Sequence, residues 1–137
     1  NIWINITIFE YDLIILICQD DLKTVDKLGH LIGLQSHNHP TLLESLDFED
    51  QKYEYTKCQS IISHILDKPK KEIKYMSHPC GSYNTNTFKV LENLKINLGF
   101  AAYENTKKNF EKIKKYFSFQ VPRIDHPIVI KMMKIWK

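Results

Sequence analysis

The chain has 137 residues, 43% of them hydrophobic and 26% charged, with four Gly, five Pro and a formal net charge of +3. That is one domain's worth of a globular composition, with enough apolar material for a core. The mild charge marks no nucleic-acid partner, since the densest basic run, Lys107 to Lys115, reads as a solvated helix face. No stretch reaches the roughly 18 to 20 apolar residues a membrane span needs. The apolar run Leu13 to Cys18 is too short for one, and it follows acidic residues, unlike a signal peptide.

Three cysteines, Cys18, Cys58 and Cys80, form an odd set without framework spacing, which points to a reducing, cytoplasmic compartment. The chain opens on Asn1 rather than on an initiator methionine and reads as a fragment, so a targeting segment would lie before it. Residues 1–21 are rich in β-branched and aromatic side chains and predict one or two strands. They carry no turn signal and are set apart as a divergent or truncated N-terminal segment.

From residue 22 to 137 helix-like and strand-like patterns alternate. Asp20 and Asp21 sit where carboxylates favour the exposed N–H groups of a helix start, and Leu22, Val25 and Leu28 then run at helical spacing to a stop at Gly29. "LIGLQS" at 31–36 predicts a short buried strand, and "HNHP" a loop, because Pro40 cannot continue a ladder. A helix follows over 48–66, with Cys58, Ile61, Ile62 and Ile65 on one stripe. "IKYMS" at 73–77 is the next strand and "HPCGSYN" its loop. Asn84 or Thr85 then caps a helix that carries Phe88, Leu91 and Leu94 on one face. Residues 97–103 predict a third strand, 105–115 a helix, "YFSFQVP" at 116–122 a fourth strand, and about 127–136 a last amphipathic stretch.

Such alternation implies βα units and a mainly parallel sheet. In these folds chemistry gathers at the carboxyl ends of the strands. "HNHP", "HPCGSYN" and "RIDHP" all follow predicted strands and are expected to converge. His37, His39, His78 and Cys80 form H-x-H and H-x-C pairs of the donor types zinc selects, although their spacing matches no zinc module. The plainer alternative has His78 and Cys80 as ordinary loop residues, Cys80 being a small buried hydrophobe. His30 and His64 read as surface or satisfied core residues.

The stretch "LGHLIGLQSHNHPTL" resembles the second motif of the polysaccharide deacetylase family, carbohydrate esterase family four, where a strand like "GHEIGxH" runs into H-S/T-x-x-H-P. Gly29, His30, Ile32 and Gly33 match the approach, Ser36 the small hydroxyl position, and His39 with Pro40 the end. "MSHPCGSYN" is similar to the family's R-x-P-x-G loop, often continued as "GSYN". Pro79, Gly81, Ser82, Tyr83 and Asn84 match it, while Ser77 stands where the arginine would be and Cys80 where an aromatic is common. "VPRIDH" lies where family members carry late motifs. The resemblance runs over roughly 22–130, which makes 22–137 the deacetylase-like domain.

The resemblance implies an α/β fold, an incomplete and distorted (β/α) barrel with mainly parallel strands. It implies a metal-dependent hydrolase that removes acetyl groups from an N-acetylated sugar or polysaccharide. In the family one aspartate and two histidines hold the metal, a carboxylate base takes the water's proton, and a histidine acid protonates the leaving amine. Carried over, the divalent metal, zinc in expectation, belongs with His39, His37 and Gln35. Asp125 and His126 are the catalytic candidates, His126 as the acid. Pro79, Cys80, Gly81, Tyr83 and Arg123 face the sugar. Two departures stand out: Gln35 occupies the first metal-histidine position, and nothing matches the T-F-D-D-G motif that supplies the metal aspartate and the base. Were residues 35–39 extended, Gln35, His37 and His39 would share one face and His37 would replace Gln35. The rival reading is a non-catalytic remnant that at most binds carbohydrate.

Overall fold

A computed structural model describes residues 4–5, 16–102, 114–124, 129–131 and 133. Two short strands, β1 (Ile4–Asn5) and β2 (Leu16–Ile17), pair antiparallel with each other and stay outside the main sheet. Helix α1 (Gln19–Lys27) begins as the acidic pair requires. The Asp21 carboxylate accepts the Cys18 N–H at 3.0 Å, and hydrogen bonds from Cys18 hold its carboxyl below the usual range. Of the predicted stripe only Leu22 is buried. Leu28 caps the helix and is 72% exposed, because Gly29 at φ +89° turns the chain away immediately after it.

The strand expected over 31–36 contracts to one residue. Leu34 pairs parallel with Met76, its N–H donating to Tyr75 O and its carbonyl accepting from Ser77 N–H, both at 2.8 Å. The ladder stops there because Ser36 turns to φ +64°. Helix α2 (Phe48–Leu66) has the predicted bounds, capped by Asp47, whose side chain accepts the Asp50 N–H at 2.9 Å. Its inner face is more polar than the expected stripe. Ile62 and Ile65 are buried with Gln51, Glu54, Tyr55 and Gln59, while Cys58 and Ile61 are half-buried.

Strand β3 (Tyr75–Ser77), helix α3 (Thr85–Asn93) and strand β4 (Leu98–Ala102) follow in the predicted order. Asn84 caps α3, its side-chain oxygen accepting from Asn86 and Thr87 N–H at 2.9 and 3.2 Å. The fourth strand begins later than expected. Residues Lys114–Phe119 form 3₁₀ turns, and only Val121–Arg123 is strand, β5. The reason lies in the rings. Tyr116 and Phe119 both stack on Phe88, at 4.9 and 6.2 Å between centroids. Residues three apart share a side in a helical turn and lie on opposite faces in a strand. The helix expected over 105–115 lies outside the described residues except at its end, and of the last amphipathic stretch residues 129–131 and 133 are helical.

The main sheet is parallel, in the order β3-β4-β5, with Leu34 on the outer side of β3. Ser77 is level with Phe100, Phe100 with Val121, and Ala102 with Arg123. Leu34, Met76 and Ala101 of the sheet meet Tyr55 and Ile62 of α2 and Phe88 and Leu91 of α3 in one core. The α/β class and the parallel arrangement are as the sequence implies. Leu34, β3 and β5 end at one edge of the sheet.

Gly33 is what lets the Leu34 segment lie against β3. A Cβ there would stand 2.8 Å from Tyr75 O and 3.1 Å from Tyr75 C, both backbone atoms that cannot step aside. Gly33→Ala is expected to lower unfolding free energy by roughly 1–3 kcal/mol, read from the urea midpoint at unchanged slope.

Candidate functional site

The loop after Leu34 is a turn, which corrects the extended arrangement considered for 35–39. Ser36 (φ +64°) and His39 (φ +52°) are both left-handed, and Ser36 Oγ accepts the His39 N–H at 3.1 Å. Between them the backbone N–H groups of His37 and Asn38 both donate to Glu54 Oε2, at 2.9 and 2.7 Å. Asn38 Nδ2 donates to Glu54 Oε1 at 2.6 Å. The His37 ring is exposed and meets Tyr53 of α2 edge-on at 6.3 Å, whereas Gln35 and His39 are half-buried. The Gln35 backbone N–H bonds the Cys58 thiol. Burial pushes that thiol's pKa up, the Gln35 N–H opposes the shift, and the neighbouring Glu54 adds to it.

The loop after β3 spends most of its matched residues on structure. Pro79, Gly81 and Tyr83 are buried. Ser82 Oγ accepts the Glu44 N–H at 3.0 Å, and Asn84 Nδ2 donates to Glu44 O at 2.8 Å. Cys80 is exposed at φ +50°, not the buried hydrophobe of the plainer sequence reading, because the 3₁₀ turn Pro79–Gly81 lifts it out. Five described non-glycine residues have positive φ. Asp67 and Lys95 follow helix ends, where that conformation is ordinary, whereas Ser36, His39 and Cys80 lie in the two candidate loops.

Arg123 ends β5, and its Nη1 donates to Ser77 Oγ at 3.2 Å. Ser77 ends β3, so the bond reaches across β4 to the position where the resembling loop carries its arginine. Asp125 and His126 lie outside the described residues.

His78 is buried between Tyr83 and Phe88, with Nε2 2.7 Å from Phe119 O. That carbonyl assigns the proton to Nε2, and Nδ1 has no partner among the described residues. Desolvation lowers the ring's pKa to about 4, with the Phe119 carbonyl opposing. His78, Cys80, His37 and His39 are not assembled as a zinc quartet. Among the described residues no three or more His, Cys, Asp or Glu side chains are placed to hold a metal ion. His30 and His64 are exposed. For a zinc of the family type, His39 and His37 fit in kind as imidazoles, Gln35 offers a poorer amide oxygen, and no described carboxylate joins them.

Glu54, which the sequence reading passed over, had a signal. It lies on the spacing Glu54, Cys58, Ile62, Ile65, a charge on an otherwise apolar stripe.

A parallel α/β sheet whose strands end at one edge, with a histidine turn after the Leu34 bridge beside β3, is the arrangement of a deacetylase-type fold. The sequence pattern of the family described as polysaccharide deacetylase matches residues 3–99, more than half of the chain. The chain belongs to the polysaccharide deacetylase family. None of the curated proteins matches it by sequence. Among solved structures it is similar to the Streptococcus pyogenes deacetylase PplD in complex with acetate. The TM-score is 0.62 and the identity 18%, over 80% of this chain and 44% of that one. It is also similar to wild-type BA3943 of Bacillus anthracis, a CE4 family pseudoenzyme, with a TM-score of 0.54 and 12% identity over 76% and 39%. A BA3943 mutant with restored enzymatic activity gives a TM-score of 0.54 and 12% identity over 76% and 40%. The chain thus spans less than half the length of these structures, and the likeness is one of fold.

The His78 geometry makes a pH prediction. Its pKa is about 4 in the folded chain against an ordinary 6.5, so the unfolded state takes up the proton first as pH falls. This contribution to stability is complete above pH 6.5 and is lost as pH falls toward 4, on the order of 3 kcal/mol in all. An NMR titration of the ring is expected to show a midpoint below 5, with urea stability falling over the same window.

Proposed function

We propose that the chain carries a deacetylase-type site for an N-acetylated sugar or polysaccharide, with its grip on the metal weakened at Gln35. The observation that supports this most is the turn after Leu34. It sets Gln35 and His39 at its two ends on the edge where the strands of the parallel sheet terminate. In this reading a divalent ion, zinc, is met by His39, with His37 and Gln35 beside it. When bound, such an ion activates water and polarises the amide carbonyl. Cys80 stands at the exposed tip of the second loop and Arg123 at the end of β5, where they contact the sugar. Pro79, Gly81 and Tyr83 shape the loop from beneath. Asp125 and His126 stand two and three residues after β5 in sequence and are the proton-transfer candidates.

A second reading, carbohydrate binding without hydrolysis, is favoured by Gln35 itself, since an amide oxygen is a much poorer zinc ligand than imidazole. That solved structures of similar fold include a CE4 family pseudoenzyme, and a mutant of it with restored enzymatic activity, supports keeping this reading beside the first. Acetate release from N-acetylated sugar oligomers separates them here: hydrolysis supports the first reading, and saturable binding without release supports the second.

The register is tested at one residue. Gln35→His is expected to raise zinc or cobalt affinity by about tenfold or more, followed by direct metal titration. An unchanged titration would remove His39 and Gln35 from the metal-site assignment.

A further inference from the structure

The N–H groups of the His39 loop are almost fully accounted for within the chain. Gln35 N–H goes to the Cys58 thiol, His37 and Asn38 N–H to Glu54, and His39 N–H to Ser36 Oγ. Glu54 and Cys58 are four residues apart on α2, so one helix face runs beneath the whole stretch. Glu54 is 6% exposed and pairs with no cation among the described residues. A carboxylate buried in this way requires donors, and the three from His37 and Asn38 supply them. Two consecutive N–H groups converge on one oxygen only where the backbone is bent into a concave nest, and the left-handed Ser36 beside them bends it so.

Resting on the register proposed above for His39, we infer that Glu54 is a positioning residue: it holds Gln35–His39 in the ligand-presenting turn through the protein's own hydrogen bonds, before any ion arrives. Ordering the loop is then not part of metal binding, and the donor set alone limits affinity. The bonding also says which substitution preserves the function. In Glu54→Gln the amide oxygen still accepts both backbone N–H groups, and Asn38 keeps its bond by rotating its own amide to accept. Glu54→Ala leaves all three donors without a partner.

Two measurements test this. In metal-free protein, amide hydrogen exchange at His37 and Asn38 is expected to be at least about tenfold faster in Glu54→Ala than in the native chain, with most of the protection kept in Glu54→Gln. Equal protection in the alanine variant overturns the inference, and the glutamine variant distinguishes a local effect from general loss of fold. In the Gln35→His background, adding Glu54→Ala is expected to weaken zinc binding about 10- to 100-fold, with Glu54→Gln restoring it. Unchanged zinc affinity overturns the positioning role. If Gln35→His itself gains no affinity, it is the register of the proposed function that fails, and the exchange measurement alone decides the role of Glu54.

Discussion

Parallel strands cannot be joined by a tight turn, and each connection must cross back over the sheet before the next strand begins. Here the constraint centres on β3, which is paired on one side with Leu34 and on the other with β4. Leu34 uses both its N–H and its carbonyl on Tyr75 and Ser77. That pairing brings the end of the histidine segment level with the end of β3, although α2 and some forty residues separate them in sequence. The side-by-side position of the Gln35 and His78 loops follows from it, as does the placement of Arg123 two strands away at the same edge. The absence of a side chain at Gly33 is what permits the approach.

Helix α2 fastens this arrangement with polar groups rather than covering it with apolar ones. Gln51 donates to Leu46 O at 2.9 Å and accepts from Thr87 Oγ1 at 2.6 Å, tying the helix start to α3. Gln59 donates to Lys70 O, Ile73 O and Leu94 O, joining the approach to β3 with the end of α3. Glu54 lies between them and takes the histidine loop. Each of these buried groups is satisfied, and an unsatisfied one is costly, so a single face of α2 fixes the relative position of four connections.

The family's chemistry meets two substitutions at the edge so organised. Gln35 replaces an imidazole by an amide, whereas Ser77 replaces an arginine but receives a guanidinium from Arg123 instead. The resembling motifs carry an imidazole and an arginine at these two positions, and Arg123 brings a cation back to the second. The left-handed residues Ser36, His39 and Cys80 show backbone strain concentrated in the same two loops, a cost of roughly 1–3 kcal/mol each that the surrounding hydrogen bonds sustain. Both features belong to a chain that keeps the family's fold.

Local chemistry made much of this legible in the sequence. Apolar periodicity gave α2 its bounds, capping chemistry put Asn84 or Thr85 at the head of α3, and the alternation of helix and strand implied a parallel sheet. The motif residues Ser36, His39, Pro40 and Gly81 located the two loops. Pattern alone misplaced whatever depended on a distant partner. The strand at 31–36 shrank to Leu34 because the chain turns at Ser36, bringing the His37 and Asn38 N–H groups to the α2 carboxylate, and the start of the fourth strand became 3₁₀ because Phe88 draws Tyr116 and Phe119 to one side. The sequence by itself determined where the helices begin and the alternation of helix and strand that implies a parallel sheet, since capping and periodicity are local facts. Only the tertiary structure decided that Glu54 holds the loop, that His78 is sealed in the core, and that Arg123 reaches Ser77. Each of those depends on burial and on partners brought together from remote parts of the chain.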